Sequence, residues 1–171
     1  MMKDRICNAF PTCITNNCIE TVNNKKFQVR DNENTKKSEI VLKNGTLTVH
    51  NPNAKDIDFI AIDSCVLQSN DPKKCDCALF DEKEFYFVEF KTFNSKKNNE
   101  RRGEANQQLE SILEIFRNKK ISFEQYELIA LICFNFIPTR PIASTRMQYK
   151  KIEFWNKYKA NLLEGNEIMI K

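Results

Sequence analysis

Residues 75–91 read CDCALFDEKEFYFVEFK, and the topology of the 171-residue chain depends on them. Two strand-like runs, 75–80 and 85–91, flank four polar residues, DEKE, at 81–84. Aromatic and β-branched residues favour strands, and a polar segment of this length is typical of a hairpin turn. The pattern therefore predicts an antiparallel β-hairpin.

The turn sets the register of this hairpin. If Phe80 and Phe85 lie opposite each other, then Asp76 faces Glu89, because side chains alternate between the two faces of a strand. Lys91 lies two residues beyond Glu89 and therefore points to the same side. The sequence thus predicts two carboxylates and one ammonium at the end of an otherwise apolar face.

A βαβ unit follows the hairpin. Residues 104–118 place apolar side chains on one face of a helix, and residues 127–136 form a nearly continuous apolar run, as in a strand that is covered on both faces. We therefore expect an α/β fold in a single domain. Its mixed central β-sheet would contain the antiparallel hairpin and the βαβ unit and would be flanked by helices.

Earlier residues predict further strands. Asn44-Gly45 separates the apolar runs 40–42 and 47–49, and this dipeptide is typical of a two-residue hairpin turn. Residues 57–62 predict another strand.

One domain is expected over 1–171, with its core at about 38–137. Residues 1–24 are predicted to be helical and residues 23–37 to form a polar loop. A last amphipathic helix is predicted at about 147–164.

Composition limits the possible functions. The net charge is +4, which permits nucleic-acid binding without requiring it. His50 is the one histidine, so zinc sites built on several histidines are excluded. The seven cysteines form no CxxC pair and are expected as buried thiols in a reducing cytoplasm, with a metal cluster as the alternative. The longest apolar run is too short to span a membrane.

The predicted Asp76–Glu89 pair needs a compensating charge. Two carboxylates that face each other across a strand pair repel, and more strongly where water is scarce. A divalent cation such as Mg²⁺ could bind both, with the backbone carbonyl of Phe90 as a further ligand. Lys91 would then lie beside the bound water or phosphate. The alternative is a plain ion cluster in which Lys91 neutralises Glu89.

Asp76 and Glu89-x-Lys91 resemble the signature of the PD-(D/E)xK nuclease superfamily. The resemblance covers roughly residues 57–136 and implies a restriction-endonuclease-like core that hydrolyses phosphodiester bonds with Mg²⁺ or Mn²⁺. The chain departs from the pattern at Cys75, where many members have proline. Members also bring an acidic residue from an earlier element, and the candidates here are Glu20, Glu39 and Asp63.

The helix after the motif extends the resemblance. Gln107 and Gln108 are similar to the glutamine-bearing helix of the helicase-associated and exonuclease branch, in which a glutamine reaches the active site. Gln108 is the better candidate because it flanks the apolar face, although Ile112 stands where an aromatic residue would follow in that branch. The alternative is a solvated helix glutamine.

A basic loop over 94–102 follows the predicted site. Its cations could contact a nucleic-acid backbone, since phosphates are bound mainly by Lys and Arg. They are Lys96, Lys97, Arg101 and Arg102.

The first functional hypothesis is a metal-dependent nuclease that acts on nucleic acid, with DNA expected before RNA. Such an enzyme would be similar to the small nucleases of bacterial defence or repair, and it could act as a homodimer or with a partner protein. The alternative is a non-catalytic module that binds nucleic acid or protein and keeps the fold.

Overall fold

A six-stranded mixed sheet forms the centre of the computed structural model, which describes residues 1–68, 70–94, 96–135 and 145–171. The helices are α1 (Met2–Ala9), α2 (Thr12–Thr15), α3 (Asn98–Asn118) and α4 (Thr145–Tyr158). The strands are β1 (Ile19–Val22), β2 (Lys26–Asn32), β3 (Lys37–Val41), β4 (Leu47–His50), β5 (Ile57–Ala61), β6 (Cys77–Phe80), β7 (Glu84–Lys91), β8 (Glu127–Phe134), β9 (Ala160–Gly165) and β10 (Glu167–Met169).

The six-stranded sheet has the order β1-β5-β6-β7-β8-β9. The pairs from β1 to β7 are antiparallel, and β7, β8 and β9 are parallel. A second, four-stranded sheet has the order β10-β4-β2-β3. The chain is therefore a single α/β domain with mixed sheets and flanking helices.

The predicted hairpin and βαβ unit are confirmed. Phe80 pairs with Phe85 and Ala78 with Phe87 in the β6–β7 hairpin, which is the expected register. Helix α3 then crosses to β8, which pairs in parallel with β7. The helix begins six residues earlier than predicted, so the expected basic loop at 94–102 is helical from Asn98.

Helices and the second sheet cover opposite faces of the central sheet. Phe87 of β7 packs on Phe116 of α3, with 4.9 Å between ring centroids, and Phe10 after α1 meets the same ring at 5.1 Å. On the other face, Ser38 of β3 lies beside Cys77 of β6. Both faces of β7 are therefore buried, which agrees with its apolar sequence.

The region 23–50 departs from the prediction. Residues 26–32 form strand β2 instead of a loop, because Phe27 and Val29 alternate with polar residues and are fully buried. Strands β3 and β4 do not form a hairpin with each other, since β2 lies between them. Gly45 instead packs closely against β2. A Cβ atom added to Gly45 would lie 2.4 Å from the Cβ atom of Gln28.

Both predicted terminal helices are too long. Residues 19–22 form β1, because Asn17 with φ of 50° ends the helical region and β1 then pairs with β5. Helix α4 ends at Tyr158 and is followed by Lys159 with φ of 57°. Residues 160–165 form β9, which pairs with β8 and buries Leu162. The end predicted for β8, at residue 136, lies outside the described residues.

Two cysteines depart from the expected thiols. Cys18 and Cys65 form a disulfide, with 5.7 Å between Cα atoms, whereas Cys7, Cys13, Cys75, Cys77 and Cys133 are free. The bond ties the start of β1 to the segment after β5. Among the described residues, no helix has the length and apolar character needed to cross a membrane.

Candidate active site at the β6–β7 hairpin

The hairpin brings Asp76 and Glu89 together. The backbone N–H of Asp76 donates to the carbonyl of Val88 at 3.1 Å, just beyond the last paired residues of β6 and β7. Asp76 and Glu89 are therefore neighbours across the hairpin, and their carboxyl groups interact. The sequence prediction of this pair rested on the same register.

Asp76 is held by the backbone of the facing strand. Its Oδ2 accepts a hydrogen bond from the Phe90 N–H at 2.6 Å. Burial raises the pKa of this carboxyl from 3.8 to about 7, although the Phe90 hydrogen bond acts in the opposite direction. A carboxyl in this state exchanges its proton near neutral pH.

Glu89 is the more deeply buried member of the pair, with 2% of its surface exposed. Its Oε1 lies 2.8 Å from Lys91 Nζ. Its Oε2 is buried and has no hydrogen-bond partner among the residues that the structure describes. Burial, and next the charge of Asp76, raise the pKa of Glu89 well above its usual range. An orphaned oxygen of this kind is costly in a folded protein unless something binds it.

Gln108 joins the cluster from helix α3. Its Oε1 accepts a hydrogen bond from Lys91 Nζ at 2.7 Å, and its Nε2 donates to the Lys74 carbonyl at 3.2 Å. Gln107 is exposed and contacts Lys73 instead. The structure therefore places Gln108, and not Gln107, against the catalytic candidates.

Asp63 is the proposed acidic residue that the fold brings closest to the pair. Its backbone N–H donates to the Asp76 carbonyl at 3.2 Å. Glu20 lies on the edge strand β1, which is separated from β6 by β5, so it does not join the cluster. Glu39 forms an ion pair with Arg30 in the other sheet.

Two functional candidates were missed by the sequence reasoning. Asp31, at the end of β2, approaches the cluster, and its pKa is raised by burial and then by the charge of Asp63. Lys74 is buried, with Nζ 3.5 Å from Asp63 Oδ1. Lys74 precedes Asp76 by two residues, which could have marked it, whereas nothing local marks Asp31.

The four basic candidates have different surroundings. Lys97 and Arg101 line a cavity of about 360 Å³ together with Lys91 and Phe90. Lys96 is exposed beside this cavity.

Arg102 has a structural contact instead. It binds the buried Glu164 through two hydrogen bonds of 2.7 and 2.6 Å, and its guanidinium lies 5.4 Å from the centre of the Phe134 ring. This bidentate contact fastens α3 to β9.

The donor atoms fit a hard divalent cation. Two carboxylates and the Phe90 carbonyl offer oxygen ligands. Glu89 Oε2, which has no hydrogen-bond partner among the described residues, could bind the cation directly. Across the described parts of the chain, however, no group of three or more His, Cys, Asp or Glu side chains is placed to hold a metal ion. Two carboxylates suffice for Mg²⁺ only when water and phosphate complete the shell.

Comparison with protein-family models, curated proteins and solved structures gave no match. The assignment to a family therefore stays a prediction from the motif.

Proposed function

We propose that this protein is a metal-dependent nuclease with a restriction-endonuclease-like core, which hydrolyses phosphodiester bonds in nucleic acid, with DNA as the first substrate to test. One observation supports the proposal above the others. Buried Glu89 and half-buried Asp76 lie together beside Lys91, and one oxygen of Glu89 lacks a partner among the described residues. This arrangement is destabilising unless a proton shared by the two carboxyls or a bound cation compensates it.

Asp76, Glu89 and the Phe90 carbonyl would hold Mg²⁺ or Mn²⁺. The bound ion would supply charge neutralisation and make a bound water more acidic. The raised pKa values of both carboxyls mean that protons neutralise the site when no cation is present. Binding of a cation would therefore release protons from these two groups.

Lys91 supplies a positioned positive charge. Its Nζ is held between Glu89 Oε1 at 2.8 Å and Gln108 Oε1 at 2.7 Å. A fixed ammonium at this point would stabilise a hydroxide nucleophile or the extra charge on the phosphate in the transition state. Gln108 keeps the ammonium in place through its second hydrogen bond, to Lys74.

The substrate backbone would enter beside β7. The cavity of about 360 Å³ opens next to Lys91, and Lys97 and Arg101 line it. Phosphates bound there would place the neighbouring phosphodiester near the carboxylate pair. Arg102 is bound to Glu164 and is therefore not assigned this role in the proposal.

A second candidate function is a binding module without catalysis. Lys91 already neutralises Glu89 and is held by Gln108, so part of the cluster is satisfied without a metal. A protein of this kind would bind nucleic acid or a partner protein through Lys97 and Arg101 without cutting it.

A cleavage assay separates the two candidates. Purified protein is incubated with linear duplex DNA, single-stranded DNA or RNA in Mg²⁺, Mn²⁺ or EDTA, beside the variants Asp76→Asn and Lys91→Met. Exposed Glu124→Gln, on the loop before β8, is the matched control. We expect cutting that needs the metal, that both site variants abolish, and that the control retains.

Calorimetric titration with Mn²⁺ completes the test. Binding by the wild type that Asp76→Asn removes supports the metal site. No cutting of any substrate and no Mn²⁺ binding would favour the binding module. A cytoplasmic location, a role in defence or repair, and action as a homodimer stay predictions.

A further inference from the structure

Lys74 is a buried cation that the proposed mechanism does not use. Only 8% of its surface is exposed, and its Nζ lies 3.5 Å from Asp63 Oδ1. Asp63 itself is 39% exposed in its side chain. Within the described ranges, no other ion-pair partner reaches Lys74.

A purely structural role explains this arrangement poorly. Burial of an ammonium is costly unless it is well paired and hydrogen-bonded. An ammonium has three donors, and the one ion pair that Lys74 makes with a described residue is a contact of 3.5 Å with a partly solvated carboxylate, which compensates that burial weakly. By contrast, Arg102 meets its buried partner Glu164 through two short hydrogen bonds.

The position of Lys74 links it to the proposed catalytic groups. Its carbonyl accepts the Gln108 Nε2 hydrogen bond at 3.2 Å, while Gln108 Oε1 holds Lys91. Asp63, its ion-pair partner, donates its backbone N–H to the Asp76 carbonyl. One glutamine thus spans from the ammonium of Lys91 to the backbone of Lys74, and Asp63 spans from the ammonium of Lys74 to the backbone of Asp76.

We propose that Lys74 is a second catalytic lysine, whose ammonium contacts the phosphate that is cleaved; this inference rests on the nuclease function proposed above. In hydrolysis, a bond forms between a water oxygen and phosphorus as the bond to the leaving sugar oxygen breaks. The water loses a proton to solvent, and the leaving oxygen gains one. Lys74 stabilises the charge on the phosphoryl oxygens and transfers no proton.

The test compares three single variants with the wild type. Lys74→Met keeps the buried stem without the charge, Lys74→Arg keeps the charge, and Lys73→Gln is the control because Lys73 is the exposed neighbour. We expect Lys74→Met to lower kcat about 100-fold, as the loss of one preorganised charge does. Lys74→Arg should recover part of that loss, and Lys73→Gln should leave kcat unchanged.

A double variant distinguishes catalysis from charge balance. If Lys74 served only to neutralise Asp63, then Lys74→Met would have no further effect on kcat when it is added to Asp63→Asn, and this result would overturn the proposal. We expect the double variant to have a lower kcat than Asp63→Asn alone. Thermal melts of all variants check folding, and a Lys74→Arg variant that folds yet is as inactive as Lys74→Met would also count against a role for the charge.

Mn²⁺ titration adds a readout that does not depend on cleavage. Lys74→Met should bind Mn²⁺ at least as tightly as the wild type, because it removes a positive charge from the site. Full activity of Lys74→Met beside an active wild type would defeat this inference alone. A wild type that neither cuts nucleic acid nor binds Mn²⁺ would defeat the proposed function and this inference together.

Discussion

Each end of strand β7 carries a buried glutamate, but the two glutamates differ in their hydrogen-bond partners. At the amino end, Glu84 is 3% exposed and both its oxygens have partners. Oε1 accepts from Tyr86 Oη at 3.4 Å, and Oε2 accepts from the Lys171 N–H at 3.2 Å. At the carboxyl end, Glu89 keeps one oxygen without a hydrogen bond from any described residue. Similar burial therefore accompanies opposite degrees of compensation.

Asp81 and Asp76, which lie beside these glutamates, differ in the same way. Burial acts to raise the pKa of Asp81 too, but hydrogen bonds from the Glu84 and Lys83 amides and from Lys55 outweigh it and lower that pKa overall. The pKa of Asp76 rises to about 7. At the amino end both oxygens of Glu84 have partners, whereas at the carboxyl end one oxygen of Glu89 has none among the described residues. This difference, and not burial itself, marks the candidate site.

Exchanging each glutamate for glutamine tests the comparison most strongly. If the proposed function is right, Glu89→Gln should reduce metal-dependent cleavage by about 100- to 1000-fold, because it removes a charged ligand from the proposed metal site. Glu84→Gln should leave the cleavage rate unchanged and lower the free energy of unfolding by about 1–3 kcal/mol, since charge-assisted hydrogen bonds are lost. Cleavage assays and urea unfolding measure the two effects. Equal loss of activity in both variants would contradict the assignment.

The disulfide should stabilise mainly the region around the carboxyl end of strand β7. Cys18–Cys65 spans 47 residues and holds the segment that carries Asp63. Removing a bond of this kind should lower the free energy of unfolding by about 2–4 kcal/mol. Urea unfolding of the wild type and Cys18→Ser, with and without a reducing agent, measures this effect. Cys7→Ser is the control, and a wild type that is insensitive to reduction would argue against the bond.

The two ends should also differ in how stability depends on pH. The folded pKa of Asp76, about 7, lies above the value of 3.8 expected when the chain is unfolded. The folded protein therefore holds this proton more tightly, and the stabilisation is complete below about pH 4 and lost as the pH rises to 7. Asp76→Asn should remove this decline, whereas Asp81→Asn should remove a contribution of the opposite sign.

Unfolding at several pH values checks this prediction, and Glu89 contributes in the same direction as Asp76. An Asp76→Asn variant whose stability falls between pH 4 and 7 as steeply as the wild type would exclude Asp76 as the source.

The smallest expected effect concerns two basic residues, Lys97 and Arg117, at opposite ends of the central sheet. Lys97→Gln should weaken nucleic-acid binding equally for all sequences and reduce the slope of log affinity against log salt by about 1. Arg117→Gln is the counterpart, because Arg117 lines a cavity of about 760 Å³ at the amino end of β8. Fluorescence anisotropy at several salt concentrations measures both. A larger effect of Arg117→Gln would indicate that nucleic acid binds at the opposite end of the sheet.

The hairpin, α3 and β8 could be predicted because their patterns are local. A turn of four residues fixes the register that places Asp76 opposite Glu89, and the helical spacing of Ala105, Leu109 and Phe116 is repeated within one segment. Strands β2 and β9 were missed because their alternation is short and interrupted by charge. Arg30 and Glu164 look solvent-exposed until their partners, Glu39 and Arg102, are known.

The residues of the candidate site also fall into those that local sequence predicts and those that it does not. Asp76, Glu89 and Lys91 lie within sixteen residues, so the alternation of two adjacent strands suffices to group them. Asp31 and Asp63 reach the same place from separate segments, through the packing of the second sheet and the loop closed by Cys18–Cys65. No sequence pattern encodes that approach, because contacts between distant segments depend on how whole elements pack and not on the spacing of residues along the chain.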